Sequence, residues 1–223
     1  MTLGDRNAVE LDTPTRRTLA AAVIAEQPDF AARLPGIEAA TVEQPFFART
    51  SILDVTSPLP MPSRRLYMAL TKPAEFHVLT GHIEQLNCVA AADPPEGLED
   101  PPLAKEYMFY ASAWTTVSTG RELLLNSIDD IPWWEFLDDA QKVQIEDIKQ
   151  AFGPKIRPPE LFMAFPNYEL QQWFLVGQTL VERVLTVSMK GQFARAETVH
   201  RRGLPVPPGR IWGHKDGRFV PVG

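Results

Sequence analysis

Proline decides how this chain can be divided. Twenty-one of its 223 residues are proline, and most gather in four separators, Ser57–Ser63, Pro94–Pro102, Gly153–Pro159 and Leu204–Pro208. Proline has no backbone donor and holds φ near −65°, so such clusters cannot lie inside a long helix or a central strand. They read as rigid connections between elements, not as one disordered tract. Between them lie short segments, each of which has to bury its apolar side against another.

Thr13 to Gln27 reads as a helix: Thr13 caps, Pro14 fits the first turn, and good helix formers follow. Pro45–Val55, Arg64–Leu70 and Glu75–Thr80 read as strands from their aromatic and branched residues and partial alternation. His82–Ala92 fits a helix or a strand, with the helix favoured. Leu103–Thr119 reads as a helix with Leu103, Tyr107, Tyr110, Trp114 and Val117 on one face. Glu122–Ser127 reads as a buried strand.

The clearest periodicity runs from Asp129 to Gly153. Asp129 or Asp130 caps, Pro132 lies in the first turn, and Trp134, Leu137, Ile145, Ile148 and Phe152 share a helical face. Ile156–Asn167 is irregular and apolar. Tyr168–Gly191 fits two templates, a helix passing into a strand or one long strand bulged at Gly177. Gln192–Arg202 reads as a return strand, and the chain closes with a hairpin turning on Lys215-Asp216-Gly217. Together these predict an α+β fold with a largely antiparallel sheet, several packed helices and a C-terminal β-hairpin. The length allows a single domain over residues 1–223, with 1–40 as a helical segment packed on it.

The net charge of −6 is unevenly spread. From Asp93 to Asp147 thirteen acidic residues face three basic ones, and from Arg183 to Arg218 eight basic residues face two acidic ones. Such polarity bears on association rather than on fold. The acidic balance of the whole chain argues against nucleic acid as a partner, although Phe193, Trp212 and Phe219 lie among the C-terminal arginines. The single cysteine, Cys88, cannot form an internal bridge, which suits a reducing cytoplasm. No apolar run reaches the roughly 18 residues of a membrane span, and the N-terminus does not resemble a secretory signal. The expectation is a cytoplasmic protein that does not use a membrane.

Two clusters carry chemistry worth weighing. Asp129-Asp130 beside Trp133-Trp134 has the residue types of a carbohydrate site, but adjacent carboxylates rarely flank one bond, and helix capping accounts for them. His77, His82 and Cys88 supply zinc-type ligands, but at spacings that match no standard zinc pattern. Nucleotide-binding glycine loops, H-E-x-x-H and G-x-S-x-G do not occur, and no residue stands out as catalytic.

The leading expectation is therefore a non-catalytic protein that works through protein contacts, with a protein partner or with further copies of itself. It would use an acidic central helix and a basic C-terminal face, with Trp133, Glu135, Asp138 and Asp139 on one side and Arg201 and Arg202 on the other. One alternative is a small hydrolytic or metal-assisted enzyme built near His77, His82 and Cys88, with zinc as its cofactor. Another is a small-ligand binding protein with an aromatic pocket and no chemistry of its own.

Overall fold

The computed structural model describes residues 6–8, 13–26, 28, 38–57, 64–71, 75–117, 122–207, 211–215 and 218–222. The architecture is α+β: helices, two antiparallel sheets and a C-terminal strand hairpin. The chain divides into two compact units, one formed by Met1–Val117 with Val187–Ala194, the other by Ser118–Thr186 with Arg195–Gly223.

The first unit is a five-stranded antiparallel meander of β1 (Arg6–Ala8), β2 (Glu38–Val42), β3 (Ser51–Ser57), β4 (Arg64–Thr71) and β5 (Glu75–Val78), in sequence order. Its centre is the β3–β4 pair, in register Leu53↔Met68 and Val55↔Leu66. These four residues face helix α1 (Thr13–Glu26), which buries Leu19 and Val23 against them and Val78. The intervening residues Ile52, Asp54, Tyr67 and Ala69 are buried as well. Both faces of these strands are covered, which explains why their sequences alternate only in part.

Helices α2 (Ile83–Ala92) and α3 (Pro101–Thr115) complete this unit. The Thr80 hydroxyl donates to Trp114 O (3.2 Å) and accepts from Tyr67 N (2.8 Å), tying the end of α3 to β4. The aromatics of α3 go into the core: Tyr107 and Tyr110 meet the Phe46 ring edge-on at 5.2 and 5.7 Å, and Tyr110 lies 5.3 Å from Trp114. Burial pushes the Tyr107 hydroxyl pKa upward, and the group donates to Gly191 O at 3.1 Å.

In the second unit, β8 (Asn167–Val176) is the shared strand. One edge pairs with β6 (Glu122–Leu125) along Trp173–Val176 and with β7 (Glu160–Ala164) along Asn167–Gln171. Its other neighbour is β9 (Thr179–Ser188), followed by β10 (Phe193–Arg202). Leu123, Leu125, Trp173, Leu175 and Leu180 pack with Ile148 of helix α4 (Asp139–Phe152) and with Leu204 and Val206. Residue Phe174, between Trp173 and Leu175, points to the opposite face. There the Arg183 guanidinium lies 4.3 Å from its ring centre and pairs with Glu122 (3.3 Å) and Glu197 (2.7 Å). Arg183 is 4% exposed, and a charge that dry is tolerated only when paired and hydrogen-bonded.

Several expectations shift. The helix foreseen over Asp129–Gly153 begins ten residues late: Ile128–Asp130 is one 3-10 turn, and α4 starts at Asp139. Tyr168–Gly191 is neither a helix entering a strand nor one bulged strand. It is a hairpin, β8 and β9 joined at Gly177–Gln178, with φ +60° at Gly177. The irregular Ile156–Asn167 contains β7, and β2 escaped notice. The C-terminal hairpin pairs β11 (Ile211–Lys215) with β12 (Arg218–Val222), Lys215 opposite Arg218. His82–Ala92 is helical and Gln192–Arg202 is a strand, as expected.

Two glycines test this geometry. A Cβ added at Gly177 would stand in open space, whereas a Cβ on Gly191 (φ +79°) would meet Pro95 Cγ at 2.2 Å. Gly177→Ala should cost about 1–2 kcal/mol, the penalty of the left-handed region alone. Gly191→Ala should cost clearly more, because the Pro95 ring must also move. Urea denaturation of the two variants measures the difference, and equal losses would contradict the close approach.

Candidate functional site

The surface at the start of α4 is built by two successive caps. Asp130 Oδ2 accepts from Ser127 N (3.0 Å) and Asn126 N (2.6 Å), while Ser127 Oγ accepts from Asp129 N (3.1 Å). The Asp130 carboxylate is thus engaged in the 3-10 turn, to which Asp129 contributes its backbone N–H. Asp138 then caps α4, accepting from Gln141 N (2.7 Å) while the Gln141 side chain takes Asp138 N (3.0 Å). Between the caps, residues 132–137 are not helical, so their side chains do not step around a helix axis.

That backbone reverses the two tryptophans. Trp133, expected on the exposed side, is half-buried against the core of the unit, and its indole N–H is buried with no acceptor among the described residues. Trp134, expected in the core, is 40% exposed, and Phe136 is 85% exposed. Glu135, Asp138 and Asp139 are exposed around them, Asp139 pairing with Lys142 at 2.9 Å. Val143, one turn into α4, is also exposed.

Part of the basic side of the expected interface lies beside this surface. Arg201 and Arg202 are exposed at the end of β10. The chain then runs along the acidic segment, where Gly203 O accepts from the Gln144 amide (3.2 Å) and Pro205 O from Trp134 N (3.0 Å). Arg202 stands two residues beyond His200 on β10 and shares its α4-side face, whereas Arg201 is turned to the opposite face with Glu197; the two hydrogen bonds bring the backbone that follows Arg202 to Trp134 and Gln144. Phe136 and Val143 were missed. No sequence signal singled out Phe136, because Pro132 fits the first turn of a helix as well as a segment ahead of one.

His77, His82 and Cys88 are not gathered. His77 Nδ1 contacts Gln85 (2.9 Å) and its Nε2 approaches Glu75 (3.8 Å). His82 lies between Glu84 (3.0 Å) and Glu26 (3.9 Å), and Cys88 is exposed on α2. Among the described residues no group of three or more histidine, cysteine or acidic side chains is placed to hold a metal ion.

A further polar cluster, which no sequence signal marked, occupies the α4-side face of the second sheet. His200 Nε2 meets Glu182 Oε2 at 2.7 Å, and the Gln171 amide donates to the other Glu182 oxygen. The imidazole stacks on Trp173 (centroids 4.9 Å, 31°) and presents an edge to Phe152 (5.5 Å, 64°). Burial alone would raise the Glu182 carboxyl pKa. The hydrogen bonds from Gln171 and His200, with the charges of His200 and Lys155, outweigh it and hold the group below the usual carboxylate range. These residues line a cavity of about 290 Å³ with Lys155 and Arg157. A histidine in a basic run and a lone glutamate in a strand carry no joint signature until strand order sets β9 beside β10.

Comparison with protein families, curated proteins and solved structures finds no match to the chain.

The carboxylate generates a pH prediction. A glutamate whose folded-state pKa lies below its unfolded value contributes stability fully above the unfolded pKa and loses it as pH falls through the folded one. Unfolding free energy should therefore decline on acidification below about pH 4.3, the ordinary glutamate value. Glu182→Gln should flatten its share of that decline while lowering stability near neutrality. Denaturant titrations at neutral and acidic pH read both effects, and an unchanged acid slope would exclude a Glu182 carboxyl held below its unfolded-state range.

Proposed function

We propose that this protein works through protein contacts, and that the first of these is with a second copy of itself. The observation carrying this reading is the adjacency of exposed opposite charge around an exposed aromatic. Glu135, Asp138 and Asp139 are exposed on the segment that the Trp134–Pro205 and Gln144–Gly203 hydrogen bonds tie to the chain just beyond Arg202, with Phe136 85% exposed.

A surface bearing both signs side by side is self-complementary. A two-fold axis sets the acids of one copy over Arg202 of the other, and the reverse, in a single isologous contact. Charge complementarity fixes orientation and speeds encounter. Burial of aromatic anchors such as Phe136 and Trp134 supplies most of the affinity in interfaces of this kind. Exposed phenylalanine is otherwise costly to keep, because its apolar area stays in water.

The expected outcome is a dimer at low ionic strength that weakens as salt screens the charges. Phe136→Ser, and separately Arg202→Glu, should each weaken self-association by about tenfold or more without lowering unfolding free energy, since both side chains are exposed. Adding Glu135→Arg and Asp139→Arg to the arginine reversal should restore the dimer. Sedimentation velocity across protein and salt concentration measures each. A wild-type chain that stays monomeric at low salt, or a charge swap that restores nothing, refutes the proposal.

A further inference from the structure

The cavity beside His200 has no part in that contact, and its chemistry points elsewhere. We infer that it is a binding site for a small oxyanion, a carboxylate or a phosphate group on a small molecule. One wall is the sheet: Gln171 and Trp173 stand two apart on β8, hence on one face, with Glu182 on β9 and His200 on β10. The other wall is the turn that leaves α4, which brings Lys155 and Arg157.

Three features set the charge of the ligand. First, the Glu182 carboxylate is already engaged. It takes hydrogen bonds from Gln171 and His200, one on each oxygen, so its capacity to accept from a ligand is reduced. Second, an ionised carboxylate only accepts, so the His200 nitrogen facing it is N–H, and ring stacking on Trp173 holds that orientation. The other ring nitrogen, Nδ1, has no protein partner among the described residues, and it donates to an anion when the ring carries both protons. Third, Lys155 forms no ion pair within salt-bridge distance among the described residues and lies 5.5 Å from the Phe152 ring, while Arg157 meets Glu160 at 3.4 Å across an exposed surface and lies 6.0 Å from the Phe162 ring. An exposed pair of that kind is weak and yields readily to a ligand. Two cations thus face a polar wall whose carboxylate already accepts two hydrogen bonds. That is the arrangement of convergent polar groups in a small, partly apolar cavity that recognises an anion.

The probes are inorganic phosphate and acetate, titrated separately into the whole protein, with sodium chloride at matched ionic strength as the control. The readout is the set of imidazole resonances of His200, assigned by comparison with His200→Gln. A saturable shift with phosphate, acetate or both, absent with chloride, is expected. Phosphate alone would assign the site to phosphate, and acetate alone to carboxylates. Lys155→Ala with Arg157→Ala should weaken that binding by about tenfold or more, the loss of a charge-assisted contact. Both side chains are exposed, so the fold is unaffected and circular dichroism verifies it. No saturable shift with either anion, or one of equal midpoint in the double variant, overturns the inference. The dimer contact is tested by mass and this site by resonance shift, so either can fail without the other.

Discussion

The indole of Trp173 is where the second unit is decided. Almost wholly buried, it takes Phe152 at the end of α4 on one side and the His200 ring of β10 on another, 6.1 and 4.9 Å between centroids. Removing so large an aromatic from a core costs about 3–5 kcal/mol. Here it would also release α4 from the sheet and leave His200 without its stacking partner. Its buried N–H, without an acceptor, costs on the order of 1–3 kcal/mol. The ring is retained in spite of that, which measures how much its packing contributes.

Much of the fold was legible because local signals agreed with tertiary demand. Thr13-Pro14 begins a helix, glycine follows the C-terminal turn of α4, and the alternating residues Glu75–Val78 form a strand. The failures have a common cause. In β8 the buried set switches parity, with Tyr168, Leu170 and Gln172 followed by Trp173 and Leu175. A strand covered on both faces loses the period-two pattern and can imitate a helix. The start of α4 failed differently. Ser127–Asp130 and Asp138–Gln141 are both capping boxes, and a sequence cannot say which of two valid caps the longer helix uses. The irregular residues between them are settled by packing, with Trp133 against the core and Trp134 bonded to Pro205.

The site residues followed the same division. Glu135, Asp138, Asp139, Arg201 and Arg202 are all exposed, as charged side chains commonly are, whereas Arg183 and Asp54 are buried. The aromatics were harder, since each must choose a side. Phe46, Tyr107, Tyr110 and Trp114 are consumed by the core of the first unit, so a high aromatic content did not translate into an aromatic pocket there. His200, Glu182 and Gln171 come from three strands whose adjacency is a property of topology, and no spacing rule in one chain records it.

Helix α4 has a mechanical consequence. Its 14 residues make a rod about 21 Å long at 1.5 Å per residue. Its first turn carries the acidic surface, and its last residue, Phe152, rests on the His200 imidazole. The rod joins the two places physically, so any event that moved the whole helix would be felt at both, and a coupling of that kind between two ligands is reciprocal by thermodynamic linkage.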